Sequence, residues 1–222
     1  MSLIFLVRHG QASFGSADYD RLSELGRRQS RWLGEYFAAR GVAFRRALAG
    51  TLKRQQDTAG EILGAMGANL AVETHAGLNE YHADALYRSH TGGRDQLAHQ
   101  RADYRDYWRT LKGAMLAWSE DRLVDVPETW GDFAARTRAA LDAAARGLKR
   151  DEAALLVSSG GAISRAVIDL LGAAAPVAIE FNLQFRNSGF CEFIASSDAG
   201  LRLVSFNAIP HLEAPERREA IT

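Results

Sequence analysis

Two unbroken apolar runs stand out in the pattern of hydrophobic and polar positions along the chain. Residues 3–7 read LIFLV, and residues 153–157 read AALLV. Strands buried on both faces show such continuous runs, whereas half-exposed strands alternate. The first run ends in Arg8-His9-Gly10 and the second in a Ser-Ser-Gly-Gly turn. The pattern therefore predicts two central strands whose carboxyl ends carry polar residues.

Helical spacing of apolar side chains follows each of these runs. The spacing predicts a helix that is capped by Ser23 and runs through Arg40. A short strand at residues 44–50 then leads to a second helix, for which Thr51 is the predicted cap. A further helix follows the Ser-Ser-Gly-Gly turn and is predicted to end at Gly172.

The order of these elements indicates the fold class. Two more strand-like runs, GFCEFIA and LRLVSFNA, occur late in the chain, and residues from about 83 to 127 show helical spacing with no strand pattern. Alternating strands and helices indicate an α/β three-layer sandwich, with a mostly parallel central sheet and helices on both faces. We expect one domain over residues 1–222, with residues 83–127 as a helical insertion over the carboxyl edge of the strands.

Composition and charge narrow the classes of partner. The 27 basic and 27 acidic side chains give a formal net charge of zero, so no general field attracts nucleic acid or a membrane surface. The single cysteine, Cys191, excludes an intramolecular disulfide and is expected to be a small buried hydrophobe. The first apolar run is too short to span a membrane and lacks the basic start of a signal peptide. We therefore expect a cytoplasmic protein.

Candidate chemistry gathers at the carboxyl edge of the predicted sheet, where ligands bind in open α/β folds. Arg8 and His9 follow the first strand, and Arg54 lies in the first turn of the second helix. The Ser-Ser-Gly-Gly turn opens a helix whose free N–H groups favour an anion, and Gly10 allows a close backbone approach. Two guanidiniums, an imidazole and a helix N-terminus indicate a phosphate pocket, in which neutral His9 is the candidate nucleophile.

A nucleophilic histidine leaves the departing alkoxide without a proton donor. Glu80, in GLNEYH, follows a short strand-like stretch and is placed to reach the same edge. A carboxyl group beside a phosphate has its proton affinity raised, as a general acid requires. Glu80 is therefore the predicted acid.

Several segments, in this order, resemble the histidine phosphatase superfamily, also called the phosphoglycerate mutase-like family. Arg8-His9-Gly10 is similar to its signature, and DYDRLSELGRRQ to the segment that follows. GTLKRQQDTA resembles the stretch with the second phosphate arginine, here Arg54, and LNEYH the stretch with the acid, here Glu80. ETWGDFAARTRAAL and FNAIPHL also resemble family segments. The resemblance implies hydrolysis of a phosphomonoester through a phosphohistidine on His9, with no metal or organic cofactor.

One position departs from the family pattern. The late strand of the family normally ends Ser-His-Gly-Gly, and that second histidine donates to the phosphate; here Ser159 stands in its place, before Gly160. Ser159 is either a phosphate contact through its hydroxyl or a small filler, and His82 or His90 is an open candidate to replace the missing ring. Loss of one such donor typically costs about 10²–10³ in rate. We expect weakened activity, and a gain on restoring histidine at residue 159.

Three functions follow from this departure. The first is a phosphatase-like hydrolase acting on a small phosphorylated substrate; the second is a catalytically impaired protein that binds inorganic phosphate or a phosphorylated ligand on the same scaffold. A phosphoglycerate mutase-type phosphotransferase is the weaker third. A zinc site is not expected, because the spacing of the loop histidines fits no compact ligand pattern. These histidines are His75, His82, His90 and His99.

Overall fold

The computed structural model describes residues 1–13, 20–196 and 200–222. Asp18 and Tyr19, in the second of the family-like segments, lie outside these residues. In the described chain, six strands form one sheet in the order β3-β2-β4-β1-β5-β6. The strands are β1 (Ser2–Arg8), β2 (Phe44–Ala49), β3 (Val72–Thr74), β4 (Ala153–Ser158), β5 (Phe190–Ser196) and β6 (Gly200–Ala208).

Eight α-helices are found in the described ranges, together with short 3-10 turns. The helices are α1 (Glu24–Ala39), α2 (Lys53–Ala65), α3 (Ala83–Thr91), α4 (Gln96–Ala102), α5 (Tyr104–Ser119), α6 (Trp130–Ala145), α7 (Gly160–Leu171) and α8 (Ala175–Gln184). The 3-10 turns are Ala76–Leu78, Pro210–Leu212 and Pro215–Ala220. No helix among the residues described here is long and apolar enough to cross a membrane.

The sheet is mixed and mostly parallel, as the sequence predicted. Strands β1, β4, β2 and β3 pair in parallel, and β5 pairs antiparallel with both β1 and β6. The β1–β4 register places Arg8 opposite Ser158. The residues that follow these two, His9 and Ser159, therefore leave the sheet side by side at its carboxyl edge.

The two apolar runs bury both of their faces. Phe5 and Val7 of β1 pack with α1 and α2 on one side of the sheet, whereas Ile4 and Leu6 pack with α6 and α7 on the other. This arrangement gives the three layers of the predicted sandwich. Cys191 is buried in the second core, as expected, and burial raises the pKa of its thiol to about 12.

The predicted helix boundaries are correct at α1 and wrong at the start of α2. Ser23 caps α1 through its hydroxyl, but Thr51 does not cap α2, which begins at Lys53. The Asp20 carboxylate accepts the Lys53 N–H at 2.9 Å, while the Thr51 hydroxyl accepts from Asn79 at 2.8 Å. A carboxylate from a distant loop thus satisfies the helix N-terminus, and a local cap signal could not reveal it.

Residues 83–127 contain α3, α4 and α5 and no strand, in agreement with the helical pattern. Tyr107, Leu111 and Met115 of α5 pack with Ile179 of α8, and Tyr81 packs against the same cluster. Neither α6 nor α8 was predicted from the sequence. Both helices contribute polar groups near the sheet edge, Arg136 from α6 and Asn182 from α8.

Candidate active site

The main chain of His9 is fixed from both sides as it leaves β1. Its N–H donates to the Ser158 carbonyl at 3.0 Å. Its carbonyl accepts from the Ser188 N–H at 3.2 Å and from the Asn187 side-chain amide at 3.3 Å. Three hydrogen bonds therefore set the position of the His9 backbone relative to β4 and to the turn before β5.

The His9 ring is held in one tautomer. Nδ1 lies 2.7 Å from the Gly10 carbonyl, and Nε2 lies 3.2 Å from Nε of Arg54. A carbonyl only accepts and a guanidinium only donates, so Nδ1 carries the proton and Nε2 presents a lone pair. Burial, reinforced by the charges of Arg54 and Arg8, holds the pKa of His9 well below its usual range. The imidazole is therefore neutral, with Nε2 as its free base.

Arg54 is anchored at both ends of its guanidinium. Its Nη1 donates to Asp20 at 2.7 Å, in addition to the contact of Nε with His9. Its carbonyl accepts from the Thr58 hydroxyl at 2.8 Å, and the same hydroxyl accepts the Gly10 N–H at 3.1 Å. The first turn of α2 and the end of β1 are thus tied together, and Arg54 lies beside His9 at the edge of the sheet.

Gly10 makes the close approach that the sequence predicted, and the approach is to a helix. A Cβ at this position would lie 2.3 Å from the Gly26 carbonyl oxygen of α1. Gly10 therefore lets the chain pass against α1, and its own carbonyl orients the His9 ring.

The Arg8 side chain lies beside the N-terminus of α7, next to Gly160. Its Nη1 donates to the Phe185 carbonyl at the end of α8. A Cβ on Gly160 would lie 3.6 Å from Nε of Arg8 and 2.8 Å from Oδ1 of Asn182. Gly160 therefore allows a guanidinium and an amide to lie beside the first turn of α7.

Glu80 lies at the same helix terminus. One carboxylate oxygen accepts the Gly161 N–H at 3.0 Å, and the other accepts the Tyr81 N–H at 3.1 Å. Burial raises the pKa of Glu80, against the opposing effect of these two bonds and of Arg54 and Arg8. One of the N–H groups that the sequence assigned to an anion is thus occupied by this carboxyl group.

The loop that carries Glu80 is bound by a guanidinium from α6. Arg136 donates to the carbonyls of Asn79 at 2.7 Å, Gly77 at 3.2 Å and Glu80 at 3.4 Å. Its other edge makes two bonds with Glu128, at 2.6 and 2.7 Å. Because the two bonds to Glu128 fix the guanidinium, Arg136 can bind three carbonyls of one turn.

The buried Ser159 hydroxyl accepts a hydrogen bond from the Gln55 side chain, with Nε2 at 2.8 Å. His82 is the exposed N-cap residue of α3, and His90 is exposed on the same helix with its ring beside Gly113 of α5. The neighbour of Ser159 is therefore an amide from α2, and neither histidine takes that place.

The remaining histidines are dispersed through the fold. His75 accepts from the Gly77 N–H at 3.1 Å, and His99 pairs with Asp106 at 3.1 Å. His211 is buried 2.7 Å from the Ser188 hydroxyl. Within residues 1–13, 20–196 and 200–222, no three His, Cys, Asp or Glu side chains are grouped to hold a metal ion.

Four polar residues of this region were missed by sequence reasoning. Asp20 and Arg136 lie within family-like segments, and Gln55 directly follows Arg54, so their positions offered a signal. Asn182 offered none, because α8 itself was not predicted.

Comparisons with known proteins bear on the family and the fold of the chain. The family model described as the histidine phosphatase superfamily (branch 1) matches residues 4–208. Among curated proteins, none matches the chain significantly.

Solved structures give the same fold. A mycobacterial glucosyl-3-phosphoglycerate phosphatase is 25% identical, with 93% of this chain and 98% of that chain covered and a TM-score of 0.66. The phosphoserine phosphatase of Entamoeba histolytica, in complex with phosphoserine, is 19% identical over 96% of this chain and 100% of that chain, with a TM-score of 0.67. YhfR of Bacillus stearothermophilus is 15% identical over 95% and 99%, with a TM-score of 0.71.

Proposed function

The chain belongs to the histidine phosphatase superfamily, and from that premise we propose that it hydrolyses a small phosphomonoester through a phosphohistidine on His9. The observation that carries the proposal is the state of the His9 ring. Its Nδ1 proton is held by the Gly10 carbonyl, and its Nε2 lone pair faces Arg54. A buried neutral imidazole that contacts Arg54 and lies in the field of Arg8 is suited to attack a phosphoryl group.

In the first step, Nε2 of His9 forms a bond to phosphorus while the bond from phosphorus to the leaving oxygen breaks. Arg8 and Arg54 bind the phosphoryl oxygens, and Nε of Arg54 exchanges its contact with His9 for one with the anion. The Glu80 carboxyl gives its proton to the leaving alkoxide. Burial already favours the protonated form of Glu80, and a bound dianion favours it further.

In the second step, the Glu80 carboxylate takes a proton from water as the water oxygen attacks phosphorus. The bond between Nε2 and phosphorus breaks, so that inorganic phosphate and neutral His9 are released. Guanidinium charge and side-chain protons supply all that these steps require, and the proposal includes no metal ion or organic cofactor.

The proposed substrate is a small phosphorylated metabolite. The structural neighbours include phosphatases named for phosphoserine and glucosyl-3-phosphoglycerate, which supports this size and class. We assign selection of the leaving group to the insertion of residues 83–127, because α5 packs with Tyr81 next to Glu80. A cytoplasmic location stays part of the proposal, supported by the single, free Cys191.

Capture of the phosphoenzyme tests the proposal. Brief incubation with a radiolabelled aryl phosphate, followed by denaturation, should leave a label that is stable to base and labile to acid. His9→Ala should lose both the label and turnover, whereas His90→Ala, on the exposed face of α3, should keep both. Hydrolysis that persists in His9→Ala would show that the nucleophile is wrong.

The Ser159 position favours one second candidate, a phosphate-binding protein with impaired chemistry. Its hydroxyl and its Gln55 partner are neutral, so this position adds no charge to the transition state. Calorimetry separates the two functions: a binding protein would take up inorganic phosphate in an Arg54-dependent way while no phosphomonoester is turned over.

A further inference from the structure

Gln55 and Ser159 form a buried pair beside the candidate nucleophile. We propose that Gln55 is a positioning residue that leaves the Ser159 hydroxyl proton free to donate to a phosphate oxygen. The pair would thereby supply, in neutral form, the donor that a histidine supplies elsewhere in the family. This inference rests on the proposed phosphate site.

The direction of the hydrogen bond follows from a third group. Nε2 of Gln55 lies 3.0 Å from the Leu78 carbonyl and 2.8 Å from Oγ of Ser159. The reverse orientation of the amide would place Oε1 against a carbonyl oxygen, and neither atom can donate. The amide nitrogen therefore faces both neighbours, and Ser159 accepts one of its two protons.

Because Oγ of Ser159 accepts from Gln55, its own proton is left for another partner. Within the described chain the Ser159 hydroxyl donates no hydrogen bond, and the side chain does not cap α7. The adjacent Ser158 hydroxyl differs, since it donates to the Leu78 carbonyl at 2.6 Å. A buried hydroxyl with an unused proton costs stability unless a ligand accepts it.

The location of Ser159 identifies that ligand. The β1–β4 register places Ser159 beside His9, and the next residue, Gly160, lies close to Arg8. Gln55 reaches Ser159 from α2 just as its neighbour Arg54 reaches His9. Two successive residues of α2 thus contact the residues that follow β1 and β4. The Ser159 hydroxyl therefore lies among the groups proposed to bind the phosphoryl oxygens.

The Gln55 amide is held rigidly enough to act in this way. Gln55 is fully buried, and a Cβ on Gly50 would lie 1.9 Å from its Oε1. The glycine therefore makes the room that the amide occupies. Because neither Gln55 nor Ser159 titrates near neutral pH, the donor it provides is independent of pH, unlike an imidazole.

A double-mutant cycle read by inorganic phosphate binding tests the coupling. We expect Ser159→Ala to weaken phosphate binding about 10-fold, as for loss of one bond to a charged group. Gln55→Met, which keeps the volume and removes the donor, should weaken binding by a similar factor. The double variant should bind no worse than Ser159→Ala alone. Gln56→Met, one position along α2 and outside the pair, is the matched control and should not change the affinity.

Two results would overturn the inference. Gln55→Met could leave phosphate affinity unchanged, or it could weaken binding by the same factor with and without the Ser159 hydroxyl, which marks a purely structural role. Should Gln55→Met fail to fold, Gln55→Asn serves instead: its shorter side chain keeps a neutral amide but draws it back from the Ser159 hydroxyl, so phosphate affinity should fall only where that hydroxyl is present.

The readout also separates this inference from the proposed hydrolysis. If the double-mutant cycle shows coupling but the protein hydrolyses no phosphomonoester, only the proposed hydrolysis is contradicted. If the protein hydrolyses phosphomonoesters but the cycle shows no coupling, only the proposed role of Gln55 is contradicted. Absence of phosphate binding in the wild-type protein would overturn both.

Discussion

Nε of Arg54 lies 3.2 Å from Nε2 of His9, so that a permanent cation donates to the ring nitrogen proposed to attack phosphorus. This contact disfavours protonation of Nε2 and keeps its lone pair in the site. Asp20 holds the other end of the guanidinium at 2.7 Å. In the proposed mechanism, an incoming phosphate therefore meets an arginine that Asp20 already positions, and Nε of Arg54 exchanges its contact with His9 for one with the anion.

The first prediction concerns anion binding by this arginine. Inorganic phosphate or vanadate should raise the melting temperature of the wild-type protein, by about 2.7 kcal/mol of stability at a hundredfold excess over Kd. Arg54→Ala should remove most of that rise in a thermal-shift titration. Arg31→Ala on the surface of α1, which removes the ion pair with Glu61 of α2, is the matched control. An equal rise in all three proteins would place the anion elsewhere.

The second prediction concerns Glu80 as proton donor. Glu80→Gln should slow hydrolysis of alkyl phosphates by about 10²–10⁴, because the poor leaving group needs a proton. Aryl phosphates with acidic phenols should be slowed far less. The wild-type rate should also fall at high pH as Glu80 deprotonates, with a midpoint above that of an ordinary carboxyl because burial raises its pKa. An equal loss on both substrates would indicate a structural role.

The third prediction concerns Arg136, which gathers the carbonyls of the loop that carries Glu80. Arg136→Met should lower kcat for alkyl phosphates about 10-fold or more, since a small misplacement of the acid is costly. The affinity for inorganic phosphate should change little. Arg138→Met, two residues along α6, removes an ion pair with Asp142 of the same helix and is the control.

The conservative variant sharpens this third test. Arg136→Lys retains the charge but loses the fork, so it should restore part of the activity. If Arg136→Met slows aryl and alkyl phosphates equally, the arginine supports the fold at large and does not act through Glu80.

The sequence was sufficient for the elements that depend on local pattern. Continuous apolar runs indicated β1 and β4, and the residues just beyond them, Arg8 and His9, occupy the predicted edge of the sheet. The helix that begins at Ser23 also follows from spacing and a cap. Each of these features is encoded within a few neighbouring residues, and the strand–helix order then fixes the fold class.

Features that depend on distant partners could not be predicted in this way. The cap of α2 comes from Asp20, and the neighbour of Ser159 comes from Gln55, more than a hundred residues away in the chain. Helix α8 is only weakly amphipathic, so the spacing of apolar residues did not predict it. Its Asn182 and the Phe185 carbonyl that accepts from Arg8 could therefore not be identified from the sequence. Only the folded chain shows which polar groups share a site.

The fourth prediction concerns pH and stability. Burial and the nearby charge of Arg217 lower the pKa of His211 to about 3. An unfolded histidine titrates near 6.5, so between these values the unfolded chain binds the extra proton and stability falls as pH falls. His211 should contribute a slope of about 1.4 kcal/mol per pH unit. The lowered pKa of buried His9 also makes stability fall as pH falls. The raised pKa of Glu80 has the opposite effect on stability.

Chemical denaturation of the wild type and of His211→Asn between pH 4 and 7 measures this slope. The variant should be less stable near pH 7, where it lacks the packed ring, and should lose less stability on acidification. Parallel curves for the two proteins would mean that His211 titrates in the folded state as it does in the unfolded chain.

The last prediction revises the expectation for Ser159→His. Sequence reasoning anticipated a gain from this change alone, but the Gln55 amide lies 2.8 Å from the Ser159 hydroxyl and is fully buried. An imidazole at residue 159 must occupy part of the space that the amide fills, and overpacking of this kind typically costs about 1–3 kcal/mol. Ser159→His alone should therefore lower the melting temperature and leave phosphatase activity flat or reduced.

Removal of the Gln55 amide should turn the effect of Ser159→His on phosphatase activity into a gain. In Gln55→Ala/Ser159→His the ring has room to turn its N–H toward a phosphoryl oxygen. Activity should then exceed that of Gln55→Ala by at least an order of magnitude, within the roughly 10²–10³ range for one such donor. Phosphate affinity in the double variant should rise as pH falls below about 6.5, because the imidazole gains charge, whereas wild-type affinity should lack this contribution from residue 159. If Ser159→His raises activity equally with and without Gln55, the amide does not limit the space, and the serine alone limits the rate.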